Sequence, residues 1–226
     1  MRLNSQRTAL YKQYDKQSMN QRTANTLNLS KVTFSYPGQS IFNNLSVAIP
    51  AGVSLIRCDE SRGKSTLIQL LAGKIFPQKG SISLSELNSR TDHDQYHGQV
   101  YYFDVRSEIF DQISSLQYFA EVQKNYPDFD SAMVPALIAG LGLTPHQDKP
   151  LYMLSAGSKR KVWIAAALAS GAKITLIDDL TAALDRGSIE FIIGQLITLA
   201  SDANRHIVIS HYDTLDRVPF ASVLDI

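Results

Sequence analysis

The sequence predicts an α/β fold with an antiparallel β lobe at its front and a small helical lobe in its middle. Three observations predict it. Strand-like stretches crowd the early part, at 27–36, 45–49, 53–58 and 81–84. The late part alternates, with strands at 174–177 and 206–210 and helical runs at 157–169 and 188–200. Between them, 112–142 carries helical patterning and little strand character, broken around Asn125–Pro127. A further strand at 100–103 and a helix at 64–72 complete the pattern.

The 226 residues, 44% of them hydrophobic, suffice for one substantial core with a smaller lobe attached. Basic and acidic side chains balance at 22 and 21. That balance gives no general attraction to nucleic acid or to a membrane surface, and no nucleic-acid partner is expected. The single cysteine, Cys58, cannot close an internal disulfide, which fits a reducing compartment. No apolar run approaches the roughly 20 residues that span a bilayer, and no signal peptide is visible. A soluble, intracellular protein is expected, serving any membrane through a partner.

Residues 1–26 differ from the rest. Arg2, Arg7, Lys12, Lys16 and Arg22 face only Asp15, a net +4 within a chain of net +1. Few large apolar residues occur there, so a flexible basic arm is expected before a domain spanning 27–226. Met19 also offers a start within the arm. Inside the domain, the helical lobe is expected over about 105–155.

Four motifs carry chemistry. The first runs from Cys58 through Gly63-Lys64-Ser65-Thr66, between an apolar strand and a helix. Strand, loop and helix form the setting of a phosphate-binding loop, where backbone N–H groups and the helix N-terminus meet phosphates. There Lys64 would neutralise phosphate charge and Ser65 would offer its hydroxyl to Mg²⁺. The second is the buried strand Ile174-Thr175-Leu176-Ile177 ending in Asp178-Asp179. Its carboxylates fall at the C-terminal edge of a strand, where open α/β sheets bind ligands. Asp178 would hold Mg²⁺ through water, and Asp179 would orient or deprotonate an attacking water.

The third motif is Leu154-Ser155-Ala156-Gly157, opening a helix. Ser155 reads as an ordinary helix cap or as part of a second anion site. The next residues, Lys159-Arg160-Lys161, read as a solvated face. The fourth is His211, closing the apolar strand at 206–210.

Tyr36, Gly63-Lys64-Ser65-Thr66, Leu154-Ser155-Ala156-Gly157, Asp178-Asp179, Ala183-Leu184-Asp185 and His211 together resemble the ABC ATPases in order and spacing. The resemblance covers about 27–224. It implies a P-loop NTPase core of the ABC ATPase type, with ATP and Mg²⁺ as cofactors. Tyr36 would stack on adenine. Lys64, Ser65 and Thr66 would bind phosphates and metal, Asp178 the metal, and His211 the γ-phosphate. Asp179 stands where the family has its catalytic glutamate. Ser155 and Gly157 would reach the nucleotide held by the opposite subunit, which implies a two-fold pair, homodimer or heterodimer.

The sequence departs from that family at the chemistry. Cys58 and Ser61 replace phosphate-loop glycines. Asp104 stands where the family has a glutamine; it could meet Mg²⁺ but cannot donate an amide hydrogen bond. Ala156 and Ser158 alter the signature, and Leu180 replaces a proline. Asp179 is one methylene shorter than glutamate, and a misplacement of about 1 Å can cost on the order of 100-fold in rate.

The resemblance therefore implies an ATP-binding, slowly hydrolysing or partner-dependent subunit. It would drive a membrane permease from the cytoplasmic face, in the manner of ABC-2 or haem-exporter systems. A degenerate cassette that senses nucleotide or scaffolds a complex is the alternative. Cassettes acting on DNA or ribosomes usually carry paired domains or long insertions. A P-loop kinase outside the family leaves Leu154–Gly157 and His211 unexplained. With the sequence ending at Ile226, soon after His211, no added regulatory domain is expected.

Overall fold

The computed structural model describes residues 25–57 and 63–226. The predicted arm thus lies almost wholly outside the described residues, as do Cys58 and Ser61.

Two sheets organise the chain. Strands β1 (Leu27–Tyr36), β2 (Gln39–Ile49), β4 (Lys79–Leu84) and β5 (Leu87–Asn88) form an antiparallel sheet in the order β2-β1-β4-β5. Strands β3 (Gly52–Arg57), β6 (Val100–Tyr102), β7 (Ile174–Ile177), β8 (His206–His211) and β9 (Ser222–Asp225) form a parallel sheet ordered β6-β7-β8-β3-β9. Every residue of β7 and β8 is buried, as a parallel strand covered on both faces requires.

Alternate side chains of those strands divide between two clusters. Val53, Leu55, Ile177, Ile207 and Ile209 pack with helices α5 (Ala156–Ala169) and α6 (Arg186–Leu199). Ile56, Ile174, Leu176 and Val208 pack with α1 (Lys64–Leu71) and the antiparallel sheet. The parallel sheet is therefore the middle layer, and its period-two alternation feeds both cores.

The remaining α-helices among the described residues are α2 (His93–His97), α3 (Ser115–Asn125) and α4 (Val134–Gly140). A capping box between Ser114 and Gln117 starts α3. Tyr118 of α3 then places its ring edge-on to Trp163 of α5 at 4.5 Å, and its hydroxyl pairs with that of Tyr101 at 2.8 Å. These aromatic contacts tie α3 to the parallel sheet and to α5.

The predicted strand at 53–58 runs instead from Gly52 to Arg57, and the one at 45–49 begins at Gln39. Pairing explains the second difference: β1 holds its neighbour as far as Tyr36↔Gln39, across the Pro37-Gly38 turn. The short elements β5, α2 and β9 carry too little periodic pattern to stand out in the sequence. The predicted solvated face at 159–161 is overturned. Arg160 is buried, Lys159 pairs with Asp111 at 2.8 Å, and Lys161 pairs with Asp185 at 2.5 Å.

His206 opens β8 between Gly52 and Ile174 and is fully buried. Neither ring nitrogen makes a hydrogen bond of good geometry among the described residues, although backbone groups of Pro50, Ile49 and Asn25 lie near the ring. Burial lowers its pKa from the ordinary 6.5; backbone groups at Pro50, Ile49 and Asn25 oppose the shift without overturning it. A depressed folded-state pKa means the neutral ring stabilises the fold fully above pH 6.5. That contribution is lost as pH falls through the folded value. Urea midpoints measured between about pH 5 and 8 should fall on acidification, and His206→Leu should flatten the fall. An equally steep fall in His206→Leu would place the sensitivity elsewhere.

Candidate active site

The C-terminal ends of the parallel strands converge on one edge. Arg57 pairs in register with His211, Ile177 with Ile209, and Tyr102 with Leu176. The chain leaving β3, β6 and β7 there carries predicted site groups, and β8 ends on His211.

After β3, Gly63 caps α1 in a left-handed conformation, φ 113°. A Cβ on Gly63 would stand 2.7 Å from Ile41 Cγ2, so glycine is required by both conformation and space. Its carbonyl accepts from Leu67 N at 2.8 Å, starting the helix at Lys64. Ser65 is exposed and Thr66 is buried. The Thr66 hydroxyl donates to the Tyr36 hydroxyl at 3.5 Å, placing Tyr36 beside the first turn of α1. The Tyr36 ring also meets Phe34 edge-on at 5.0 Å and remains 41% exposed, leaving surface for a planar ligand.

Ser65, Asp104, Asp178 and Asp179 line one cleft of about 640 Å³, together with Gln69, Lys74, Tyr102, Arg106 and Arg160. Burial, and then the carboxylates of Asp104 and Asp178, push the Tyr102 phenol up to about 12. Asp104 Oδ1 accepts from Arg106 N at 2.9 Å, closing its own turn.

Ser210 fastens the acidic turn after β7. Its hydroxyl donates to Asp178 Oδ1 at 2.5 Å and accepts from Asp179 N at 2.8 Å. Its carbonyl accepts from Leu180 N at 3.1 Å, a bond that a proline at 180 could not make. Asp179 itself sits at φ 49°, a left-handed position that aspartate tolerates better than most residues. His211 is buried, with Nε2 2.9 Å from the Thr181 hydroxyl and Nδ1 2.8 Å from the Asp213 carbonyl.

Ser155 and Gly157 do not line this cleft. Ser155 caps α5, accepting from Ser158 N at 3.2 Å. A Cβ on Gly157 would lie 2.4 Å from the Ala183 carbonyl, so glycine lets α5 press against the loop following Asp179. Ala183 is itself left-handed, at φ 59°. Asp185 ends that loop as the N-cap of α6, accepting from Ser188 N at 2.8 Å. The Lys161 ammonium and the Ser188 donors hold the Asp185 carboxyl well below the usual carboxylate range.

A family model described as ABC transporter matches residues 42–182. The chain belongs to the ABC transporter family. Members of the family are ATPases and bind nucleotide. The cassette is 25% identical over 174 residues to the cytochrome c biogenesis ATP-binding export protein CcmA of Yersinia pestis, covering 76% of this chain and 80% of that one. It is 30% identical over 204 residues to the nickel import ATP-binding protein NikO of Rhodobacter capsulatus, covering 82% and 78%. Its fold matches a dimeric post-hydrolysis ATP-binding cassette bound to ADP and phosphate, with TM-score 0.68 and 19% identity, over 85% of this chain and 90% of that one. Among the described residues no helix is long and apolar enough to cross a membrane.

Arg160, Ser210 and Thr181 were not singled out as site residues from the sequence. For Arg160 a signal existed: Ile164 and Ala167 continue its helical stripe at i+4 and i+7, and both are buried.

Proposed function

We propose that this cassette binds Mg²⁺-ATP in the cleft between α1 and the Asp178–Asp179 turn, hydrolyses it slowly, and couples dimer closure to a membrane permease. The observation that carries this reading is the meeting of Ser65, Asp104, Asp178 and Asp179 in one cleft at the strand ends.

The donor set suits magnesium. A hydroxyl and carboxylate oxygens are hard ligands, and no group of three or more His, Cys, Asp or Glu forms a metal cage among the described residues. Such a site takes Mg²⁺ together with phosphates rather than alone. Ser65 and Asp178 would hold it, with the free oxygen of Asp104 within the same cleft. When bound, it supplies charge neutralisation at the phosphate oxygens. Lys64 adds a cation at the phosphates, and Tyr36 offers a face for the adenine. Asp179 orients the attacking water and takes its proton, and His211 turns toward the γ-phosphate as Thr181 releases it.

Ser155 and Gly157 lie outside the cleft of their own chain, so they are free to meet a nucleotide held by a second cassette. The dimeric relative bound to ADP and phosphate supports that arrangement. Residues 27–226 are read as one cassette, 1–26 as an arm and about 105–155 as the helical lobe. Val105, Ile109, Tyr152 and Met153 expose apolar surface on that lobe, at 52 to 79%. This surface supports docking of a permease, which would hold the cassette at the cytoplasmic face of the membrane. A nucleotide-sensing role is favoured instead by the short Asp179 and by Asp104, whose Oδ1 is engaged in its own turn.

Replacing Lys64 with alanine tests the phosphate site. A charge-assisted hydrogen bond contributes about 1.5–3 kcal/mol, so Lys64→Ala should weaken ATP binding about 10- to 100-fold in a fluorescence titration. Wild-type protein that binds no nucleotide would remove the reading.

A further inference from the structure

We propose that Arg160 is a positioning residue for hydrolysis, clamping the Asp178–Asp179 turn through both of its carbonyls so that Asp179 faces the cleft. The role rests on the ATPase reading above and deepens it.

Three observations converge. Nη2 of Arg160 donates to the carbonyl of Asp178 and to the carbonyl of Asp179. The side chain is only 8% exposed yet lines the cleft, and its Nε has no partner among the described residues. The turn it holds needs holding, because Asp179 at φ 49° and Ala183 at φ 59° are both left-handed, a conformation that crowds Cβ against the following carbonyl. Two adjacent carboxylates also repel each other, and a guanidinium beside them offsets that repulsion.

The position of Arg160 in the chain gives the clamp a direction. It sits on the first turn and a half of α5, between two lysines that bind other segments. Lys159 bonds both oxygens of Asp111 at 2.8 Å, and Lys161 bonds Asp185 where the loop after Asp179 ends. Three successive cations therefore tie the signature helix to the 104–113 segment, to the acidic turn and to the start of α6. A displacement of α5 would be felt at Asp179 through Arg160 first, because that cation bonds the turn's own backbone. A purely structural arginine looks different. Arg205, which precedes β8 and packs against the far end of the same helix, fills its bonds with four acceptors and lines no part of this cleft.

The test uses the full chain as wild type, Arg160→Gln and Arg160→Lys. It measures fluorescent-nucleotide affinity, single-turnover hydrolysis of Mg²⁺-ATP and amide hydrogen exchange over residues 178–184. In Arg160→Gln, affinity should stay within about threefold while the hydrolysis rate falls about 100-fold, a loss confined to the transition state. Exchange at Asp179 and Leu180 should accelerate, since their bonds to Ser210 depend on the turn's shape. Arg160→Lys should recover part of the rate, because one ammonium can still reach a carbonyl. It also serves if the glutamine variant fails to fold.

Hydrolysis within about twofold of wild type, or a loss of affinity with the rate retained, would overturn the role and leave nucleotide binding standing. Should the wild type bind ATP without turning it over, exchange alone decides: acceleration supports the clamp and an unchanged rate removes it. Wild-type protein that binds no nucleotide overturns the ATPase reading itself, and the role with it.

Discussion

Arg205→Met should lower the stability of the cassette by about 3 kcal/mol, through buried carbonyls left without donors. Arg205 is 8% exposed, and its guanidinium reaches the carbonyls of Ala172, Leu168 and Ala167 at 3.2 Å each, and the Thr175 hydroxyl at 3.1 Å. Leu168 and Ala167 belong to the last turn of α5, whose carbonyls have no partner within the helix. Ser170 also donates to Ala167 at 2.9 Å, and Asp130 N serves Ala169 at 2.8 Å. The methionine therefore strands mainly Leu168 and Ala172, and it removes a cation from the negative end of the helix dipole. Burial lowers the Arg205 pKa, so relief of its desolvation returns part of the loss. At about 2–4 °C per kcal/mol for a chain of this size, the melting temperature should drop by about 6–12 °C. Calorimetry checks it, and a shift below about 2 °C would mean that water replaces the cation without loss.

The same helix shows how far the sequence could be read. Its α-helical span and its start after Ser155 follow from apolar periodicity and a capping serine. The strands β7 and β8 follow from short β-branched runs, and the paired carboxylates and the histidine at their ends mark the edge that carries the candidate site. Much of the candidate site is legible because each group sits at the boundary of an element that local sequence defines. Arg160 was not, since three consecutive cations read as solvent-facing until α5 is rotated against the acidic turn. Only tertiary packing assigns Lys159, Arg160 and Lys161 to three different segments. Ser210 was hidden for a related reason. Within an apolar strand a serine looks like a weak core residue, and its two hydrogen bonds to the turn after β7 arise from sheet order, which pairs β7 with β8 across the intervening chain that holds α6. The short strands β5 and β9 exist because partners extend to them, with little pattern of their own.

Asp179→Asn should reduce ATP turnover about 100-fold or more while leaving ATP affinity nearly unchanged, as removal of a general base does. Asparagine keeps the size of the side chain and tolerates the left-handed φ of 49°, so the turn held by Ser210 and Arg160 should persist. Asp179→Glu separates reach from strain. The extra methylene carries the carboxylate about 1 Å farther into the cleft, a displacement that can be worth about 100-fold, or about 2.7 kcal/mol. Against that, a left-handed position costs a non-glycine residue about 1–2 kcal/mol, and glutamate lacks the short side chain whose local hydrogen bonds let aspartate offset it. Reach exceeds strain by about 1 kcal/mol, so turnover should rise by about fivefold in a single-turnover assay with unchanged nucleotide affinity. A glutamate variant slower than wild type would show that the left-handed turn, rather than the length of the side chain, limits the hydrolytic step. Unchanged turnover in Asp179→Asn would take the base away from position 179 altogether.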